Sequence, residues 1–367
     1  MYLYLESVTK FQKFSNNMAG TEGNLVSMQK ERHLDGDYTV TSHPCLGFAA
    51  RQLLETVVGS ARVERTWNQA SRKHEWRDAK NPLDRTLFGK MVPEASSDGD
   101  VSEDGEVTFE LAAPAATVEI TFSPKEKKKK KGGFKVVLDD PDFLTVGWHT
   151  YTWADHQEGV DFKAVVQAFD ADKKKVALVK HKGTCESQRA AMSLYRAISL
   201  TQFGGEMEHH FAAAGAQNSD NPTPYSREYH YTAMQYLLSL NLAEVTASDA
   251  EVVLYVASHL QRVGGGNTQN LVDWTPESVV GHVSDSGCSQ IQDAFGCGGE
   301  DNVNISYLIS AITRGDFDHP ENLVIGGRVV EGISPDNKVL LEKVGVALFT
   351  SRKDALAELS ARVKKAY

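Results

Sequence analysis

Apolar positions in this chain mostly alternate or cluster in short runs, and only a few segments carry the three-to-four-residue spacing of a helix. The opening "MYLYLESVTKFQKF" is aromatic and β-branched, and predicts a strand. The next stretch, "NNMAGTEGNLVSMQKERHLDGDYTV", is polar and glycine-dotted, and predicts a long loop running to a second short strand. In "HPCLGFAARQLLETVVG", Leu46, Ala50, Leu53 and Val57 recur at helical spacing, and Gly59 stands where a helix closes. "TASDAEVVLYVASHLQRV" predicts another helix. Ser248 and Glu251 form a capping box, Val252, Val256, Leu260 and Val263 form one apolar face, and the helix is expected to stop at Gly264. "KDALAELSARVKK" predicts a short amphipathic helix near the C-terminus. "REYHYTAMQYLLSLNL" fits a helix or a long strand equally well by pattern.

The texture changes between Val92 and Cys185. "EVTFELAA", "ATVEITFS", "FKVVL" and "KVALVK" are short β-type runs. Between them, "SPKEKKKKKGG" predicts the exposed loop of a hairpin, and "FDADKKKVA" a second hairpin turn. The segment reads as an antiparallel β-rich insertion.

Composition narrows the class. At 367 residues, 41% hydrophobic and 24% charged, this is an ordinary globular chain of one elaborated domain or two. No apolar run is long enough for a membrane helix, no signal peptide is legible, and a cytoplasmic location is expected. The four cysteines form no metal-binding or disulfide spacing. A net charge of −10 argues on average against nucleic acid, but such binding follows local basic stripes. Lys127, Lys128, Lys129 and Lys130 form one such run, which suits phosphate contacts or a solubilising loop.

No P-loop, GxSxG, HExxH or GxGxxG occurs. "EMEHHFAA" gathers Glu206, Glu208, His209 and His210 too tightly in sequence for convergence on one ion, and reads as a solvated polar loop. "DVSEDGEVTFEL" resembles a calcium loop, but Leu111 occupies the position that needs a bidentate Glu. No metal and no cofactor are expected.

Four stretches fall in a recognisable order: "SNNMAGTEGNLVSMQKERHLDGDYTVTSHPCLGFAARQLLE", "NPLDRTLFGKM", "NPTPYSREYHYTAMQYLLSLNLAEV" and "VGGGNTQNLVDWTPESVV". Together they resemble the DevR-like backbone subunits of type I CRISPR surveillance complexes (Cascade), in the RAMP superfamily. The matches cover about residues 1–90 and 186–280. They depart from the family where Ser42-His43-Pro44 replaces the usual Ser-Gly turn, and where Arg85-Thr86 replaces an acidic residue.

The resemblance implies an α+β fold: a ferredoxin-like, RNA-recognition (RRM-like) core with a large β-rich insertion and a thumb loop. The core would comprise residues 1–91 and 186–367, the insertion 92–185 and the thumb about 203–225. It makes "REYHYTAMQYLLSLNL" a strand. It implies binding of a CRISPR RNA through Asn24, Lys30, Arg32, Ser42, His43, Arg51, Arg262, Gly264, Gly265, Gly266, Asn267, Gln269 and Asn270. A helix N-terminus and a glycine-rich loop both suit close approach of phosphate. Met207 or Phe211 would be the thumb's apolar wedge.

Expected partners are CRISPR RNA, target DNA paired to it, copies of the chain itself, a guide-end capping subunit and a large subunit, in antiviral defence and without catalysis by this subunit. Two readings from other classes stand beside this one. One is a self-assembling structural protein such as a viral capsid or nucleocapsid subunit. The other is a metal-dependent nuclease using Glu206, Glu208, His209, His210 or Asp273.

Overall fold

In the computed structural model, strand Tyr2–Thr9 lies at the centre of the largest sheet, antiparallel to Met234–Asn241 on one side and to Pro276–Ser284 on the other. Leu5 faces Leu238 across the first pairing and Gly281 across the second. The structure describes the chain except residues 16–17, 69–70, 72, 78, 80, 93–98, 101–105, 112, 125–133, 154–161, 177, 180–185, 213–222, 265–271 and 300. Those described form two compact units, Met1–Lys90 with Gln188–Tyr367, and Met91–Ser187. The fold is mixed α+β, with several sheets and few helices.

In the first unit the sheet runs, edge to edge, Ala347–Phe349, Leu323–Gly327, Pro276–Ser284, Tyr2–Thr9, Met234–Asn241, Ala197–Ser199, Asp37–Thr41, Lys30–Arg32. Met192–Leu194 also pairs with Met234–Asn241. Both faces are covered. Leu3, Leu5, Leu238 and Leu240 pack with Leu46, Leu54, Val253 and Leu359, from helices His43–Val58, Ala247–Ser258 and Arg352–Lys365. Tyr4, Val8, Leu237 and Val280 pack with Leu308, Ile312 and Leu341, from helices Ser306–Arg314 and Pro335–Lys343. A strand buried on both faces loses the polar–apolar alternation, which explains why "MQYLLSLN" was ambiguous by pattern. Two glycines allow the last helix onto the sheet. A Cβ on Gly326 would stand 2.1 Å from Ala355 Cβ, and one on Gly281 2.5 Å from Leu359 Cδ2.

The first helix starts after Ser42 and ends at Gly59, whose φ is 77° and whose N–H donates to the Glu55 carbonyl. Val57, expected in its apolar face, is 39% exposed, and Ala49 and Leu54 are buried instead. The expected Ser248–Glu251 capping box does not form. Thr246 Oγ1 accepts from the Asp249 N–H at 3.2 Å, and Glu251 pairs with Lys364 at 2.6 Å. That helix also ends early, at Ser258, and not at Gly264. The Ser258 hydroxyl donates to the Tyr255 carbonyl at 3.0 Å, and His259 Nδ1 lies 2.9 Å from the same oxygen, so side chains claim the acceptor that another helical turn would use.

Two stretches expected as loops are strands. The first, residues 18–32, contains Met18–Glu22, Leu25–Met28 and Lys30–Arg32, and runs on to the expected second short strand, Asp37–Thr41. "EMEHHFAA" contains strand Met207–Ala212, antiparallel to Thr223–Glu228, and with Leu25–Met28 and Met18–Glu22 it makes a four-stranded sheet. Distant pairing partners supply the hydrogen bonds that local pattern did not announce.

Among its described residues the second unit consists of strands and one short helical turn, Pro141–Phe143. Thr117–Pro124 pairs with Phe134–Leu138 and with Phe162–Phe169, and Glu106–Leu111 pairs with Gly147–Thr152. Alternate residues Val107, Phe109 and Leu111, and Val118, Ile120 and Phe122, fill its core. Phe122 opposite Phe134 makes the expected hairpin, while Lys127–Lys130 lie outside the described residues. The second turn is built on Asp170, whose Oδ1 accepts from the N–H of Asp172 and of Lys174.

Candidate nucleic-acid interface

The N-terminal turn of the first helix borders an open groove of about 530 Å³, lined by His43, Phe48, Arg51, Arg65, Phe88 and Leu194 among others. Ser42 is the N-cap residue, but its hydroxyl lies 3.3 Å from Cys45 Sγ and makes no cap hydrogen bond. The Arg51 guanidinium stands 4.4 Å over the Phe88 ring. Burial, and next the neighbouring charge of Arg65, pull it below the ordinary guanidinium value. Asp84 holds Arg65 in place. Its two carboxylate oxygens accept from the N–H groups of Glu64 and Arg65, at 2.9 and 3.0 Å. The groove thus joins two cations, a helix N-terminus and an aromatic wall, a combination suited to phosphate on one side and a sugar or base on the other. Arg65, Phe48 and Phe88 were not expected as site residues, because three separate segments bring them together.

Arg262 sits elsewhere. Its φ is 56°, and it borders a second groove of about 440 Å³ with Gln52, Thr56, Trp67 and Gln261. Trp67 meets Phe48 edge-on at 5.7 Å, and each lines one of the two grooves along the first helix. Gly264 has φ 84°. Gly265, Gly266, Asn267, Gln269 and Asn270 lie outside the described residues. Beyond them, buried Trp274 packs edge-on against Phe14 at 5.4 Å, and its carbonyl accepts from the Tyr236 hydroxyl at 3.1 Å, anchoring the far end of the glycine-rich stretch.

Lys30, Arg32 and Asn24 belong to a third place, beside the hairpin of Met207–Ala212 and Thr223–Glu228. The Lys30 ammonium lies 2.7 Å from Glu228 and 4.5 Å over the Phe203 ring, so it braces the protein itself. Arg32 pairs with Asp37 at 3.0 Å on an exposed turn. The Asn24 carbonyl accepts from the Ser226 N–H at 2.8 Å.

On the hairpin, Met207 and Phe211 project from one face and are 46% and 73% exposed. His209, between them, lies 2.9 Å from the Ser226 hydroxyl. Glu208 and His210 occupy the opposite face, where Glu208 pairs with Lys13 and lies 3.5 Å from His210, which stacks on Tyr225. Strand alternation therefore splits the Glu206–His210 set between two faces. Asp273 is engaged as well. Its carboxylate accepts from the Thr275 N–H at 2.9 Å and lies 3.5 Å from Lys10. Among the described residues, no three His, Cys, Asp or Glu side chains are grouped as metal ligands. No helix among them is long and apolar enough to cross a membrane.

No family model matches the chain. It is 26% identical, over 351 residues, to "CRISPR-associated protein Cas7/Cst2/DevR" of Myxococcus xanthus (strain DK1622), covering 93% of this chain and 91% of that protein. The chain resembles the DevR-like proteins. The likeness read from four stretches of sequence thus extends along nearly the whole molecule. The fold is also similar to a chain of a solved "CRISPR RNA-guided surveillance complex, pre-nicking", with a TM-score of 0.52 and 11% identity over the full length of both chains.

Proposed function

We propose that the chain is a CRISPR RNA-binding backbone subunit of a Cascade-type surveillance complex, without catalysis of its own. The observation that carries this reading is the resemblance to a Cas7/Cst2/DevR protein over 93% of the chain. In this reading it polymerises head to tail along the guide, beside a capping subunit and a large subunit, and supports pairing of the guide with target DNA.

The geometry supports an RNA grip at the rims of the central sheet. Strand Tyr2–Thr9, helix His43–Val58, strands Met192–Leu194 and Ala197–Ser199, strand Met234–Asn241, helix Ala247–Ser258 and strand Pro276–Ser284 follow the order of a ferredoxin-like split β-α-β unit. Their places in the sheet, last-first-third-second, suit that core as well. An RRM commonly stacks bases on its open sheet face. Here both faces are packed, so RNA would lie along the Arg51–Arg65 groove, the Arg262 groove and the hairpin bearing Met207 and Phe211. A guide holder must grip the backbone and leave the bases free for pairing. Residues 1–91 and 186–367 would form this core, with 92–185 as an inserted domain.

Expression of the full chain without nuclease treatment tests the reading. A large, polydisperse species that carries nucleic acid and shrinks on RNase treatment is the expected result. A monomer free of nucleic acid that also fails to bind added single-stranded RNA would overturn it, and an RNA-free closed particle would favour a capsid-type protein.

A further inference from the structure

Arg227 lies on strand Thr223–Glu228 and is 8% exposed. Among the described residues its guanidinium makes no ion pair, and its buried Nε has no hydrogen-bond partner. Burying a charge is costly unless a counter-charge and hydrogen bonds replace the lost water, so a buried arginine without either is a group awaiting an anion.

The register shows why the carboxylate that faces Arg227 does not supply that anion. Glu208 stands directly opposite Arg227 across the hairpin, and Val26 lies beside it on the other side. Glu208 is already taken, since it pairs with Lys13 and lies 3.5 Å from His210. Lys13 also stands 4.3 Å over the ring of Tyr229, two positions along from Arg227. On this face of the hairpin, Lys13 and Arg227 both stand beside the one carboxylate of Glu208. The opposite face of the same hairpin presents Met207 and Phe211.

We propose that Arg227 is a phosphate subsite: the unpaired guanidinium at the base of the hairpin takes one backbone phosphate of the bound single-stranded RNA. Its planar fork matches two phosphate oxygens, which a lysine ammonium cannot do. The proposal rests on the RNA-binding reading above and adds a contact that the sequence did not signal. A phosphate contact carries no base information, so the subsite serves every guide alike.

The test uses the full chain, a set of single-stranded RNAs of different sequence, and the variants Arg227→Met and Arg227→Lys. Affinity is measured across a salt series, and RNA-free stability by urea unfolding. Arg227→Met is expected to weaken binding about tenfold for every RNA and to reduce the slope of log affinity against log salt by about 0.7. Its urea midpoint is expected to hold or rise, because an apolar side chain removes an uncompensated buried charge. Arg227→Lys should recover part of the salt slope. Wild-type affinity in Arg227→Met, or a loss of affinity that merely follows a lower urea midpoint, would overturn the subsite while leaving the RNA-binding reading intact. A wild-type chain that binds no RNA at any salt concentration would remove both.

Discussion

The carboxylate of Glu228 lies 2.7 Å from the Lys30 ammonium through Oε1 and accepts from the Met28 N–H at 2.7 Å through Oε2. One side chain thereby ties the strand Lys30–Arg32 and the end of Leu25–Met28 to the base of the hairpin. Glu228 is 8% exposed, so the pair is largely desolvated and breaking it strands a buried charge. Lys30→Ala should cost about 2 kcal/mol of stability in urea unfolding and leave the RNA affinity of the folded fraction near wild type. Arg51→Ala should do the reverse, with a loss of about tenfold in RNA affinity that is the same for all sequences. A Lys30→Ala protein of unchanged stability and lowered affinity would return Lys30 to the RNA site.

Phe211 tests the hairpin. At 73% exposure its ring contributes little to folding, so Phe211→Ala should shift stability by no more than about 0.5 kcal/mol. A ring that stacks against or wedges between bases is worth about 1–3 kcal/mol. RNA-bound assemblies of Phe211→Ala should therefore dissociate at lower RNA or protein concentration, as read by size-exclusion chromatography. Unchanged assembly would remove the ring from the RNA path.

His230 gives the protein a pH dependence. Its Nδ1 lies 2.8 Å from the Thr39 hydroxyl and its Nε2 3.1 Å from the Thr201 hydroxyl, and burial pushes its imidazole below the ordinary value of 6.5. The unfolded chain therefore takes up the proton first as pH falls. The stability involved is present above the unfolded value, and is lost as pH falls through it toward the folded value. Burial shifts His282 the same way. The protein should therefore be less stable to urea at about pH 5.5 than at about pH 7.5. The difference should shrink in His230→Gln and again in His230→Gln with His282→Gln, and an unchanged pH dependence in the double variant would exclude both.

Gly326 sets how closely the last helix lies on the sheet. A methyl there would meet Ala355 Cβ at 2.1 Å, inside any permitted contact, so the helix must move away. Gly326→Ala is expected to cost about 2–3 kcal/mol in thermal or urea unfolding. A near-neutral result would mean that the helix shifts freely on strand Leu323–Gly327.

Much of the fold was legible because it rests on local rules. Period-two runs such as Val118, Ile120 and Phe122 marked the strands of the second unit, and helical spacing ending in Gly59 marked the first helix. The order of four short stretches pointed to the DevR-like proteins. The hairpin Met207–Ala212 was missed because its polar residues alternate between two occupied faces, and because its ladder partner begins more than ten residues later in the chain.

The sequence by itself determined where backbone conformation changes and which faces are apolar, since φ/ψ preference and burial are properties of a residue and its near neighbours. Only the tertiary structure decided which charges are spoken for. Lys30 finds Glu228 across 198 positions, Lys13 takes Glu208 across 195, and Arg227, opposite that same carboxylate, is left with no ion pair among the described residues. An ion pair depends on the register between distant strands and on the water their packing excludes, and neither is written in any local pattern.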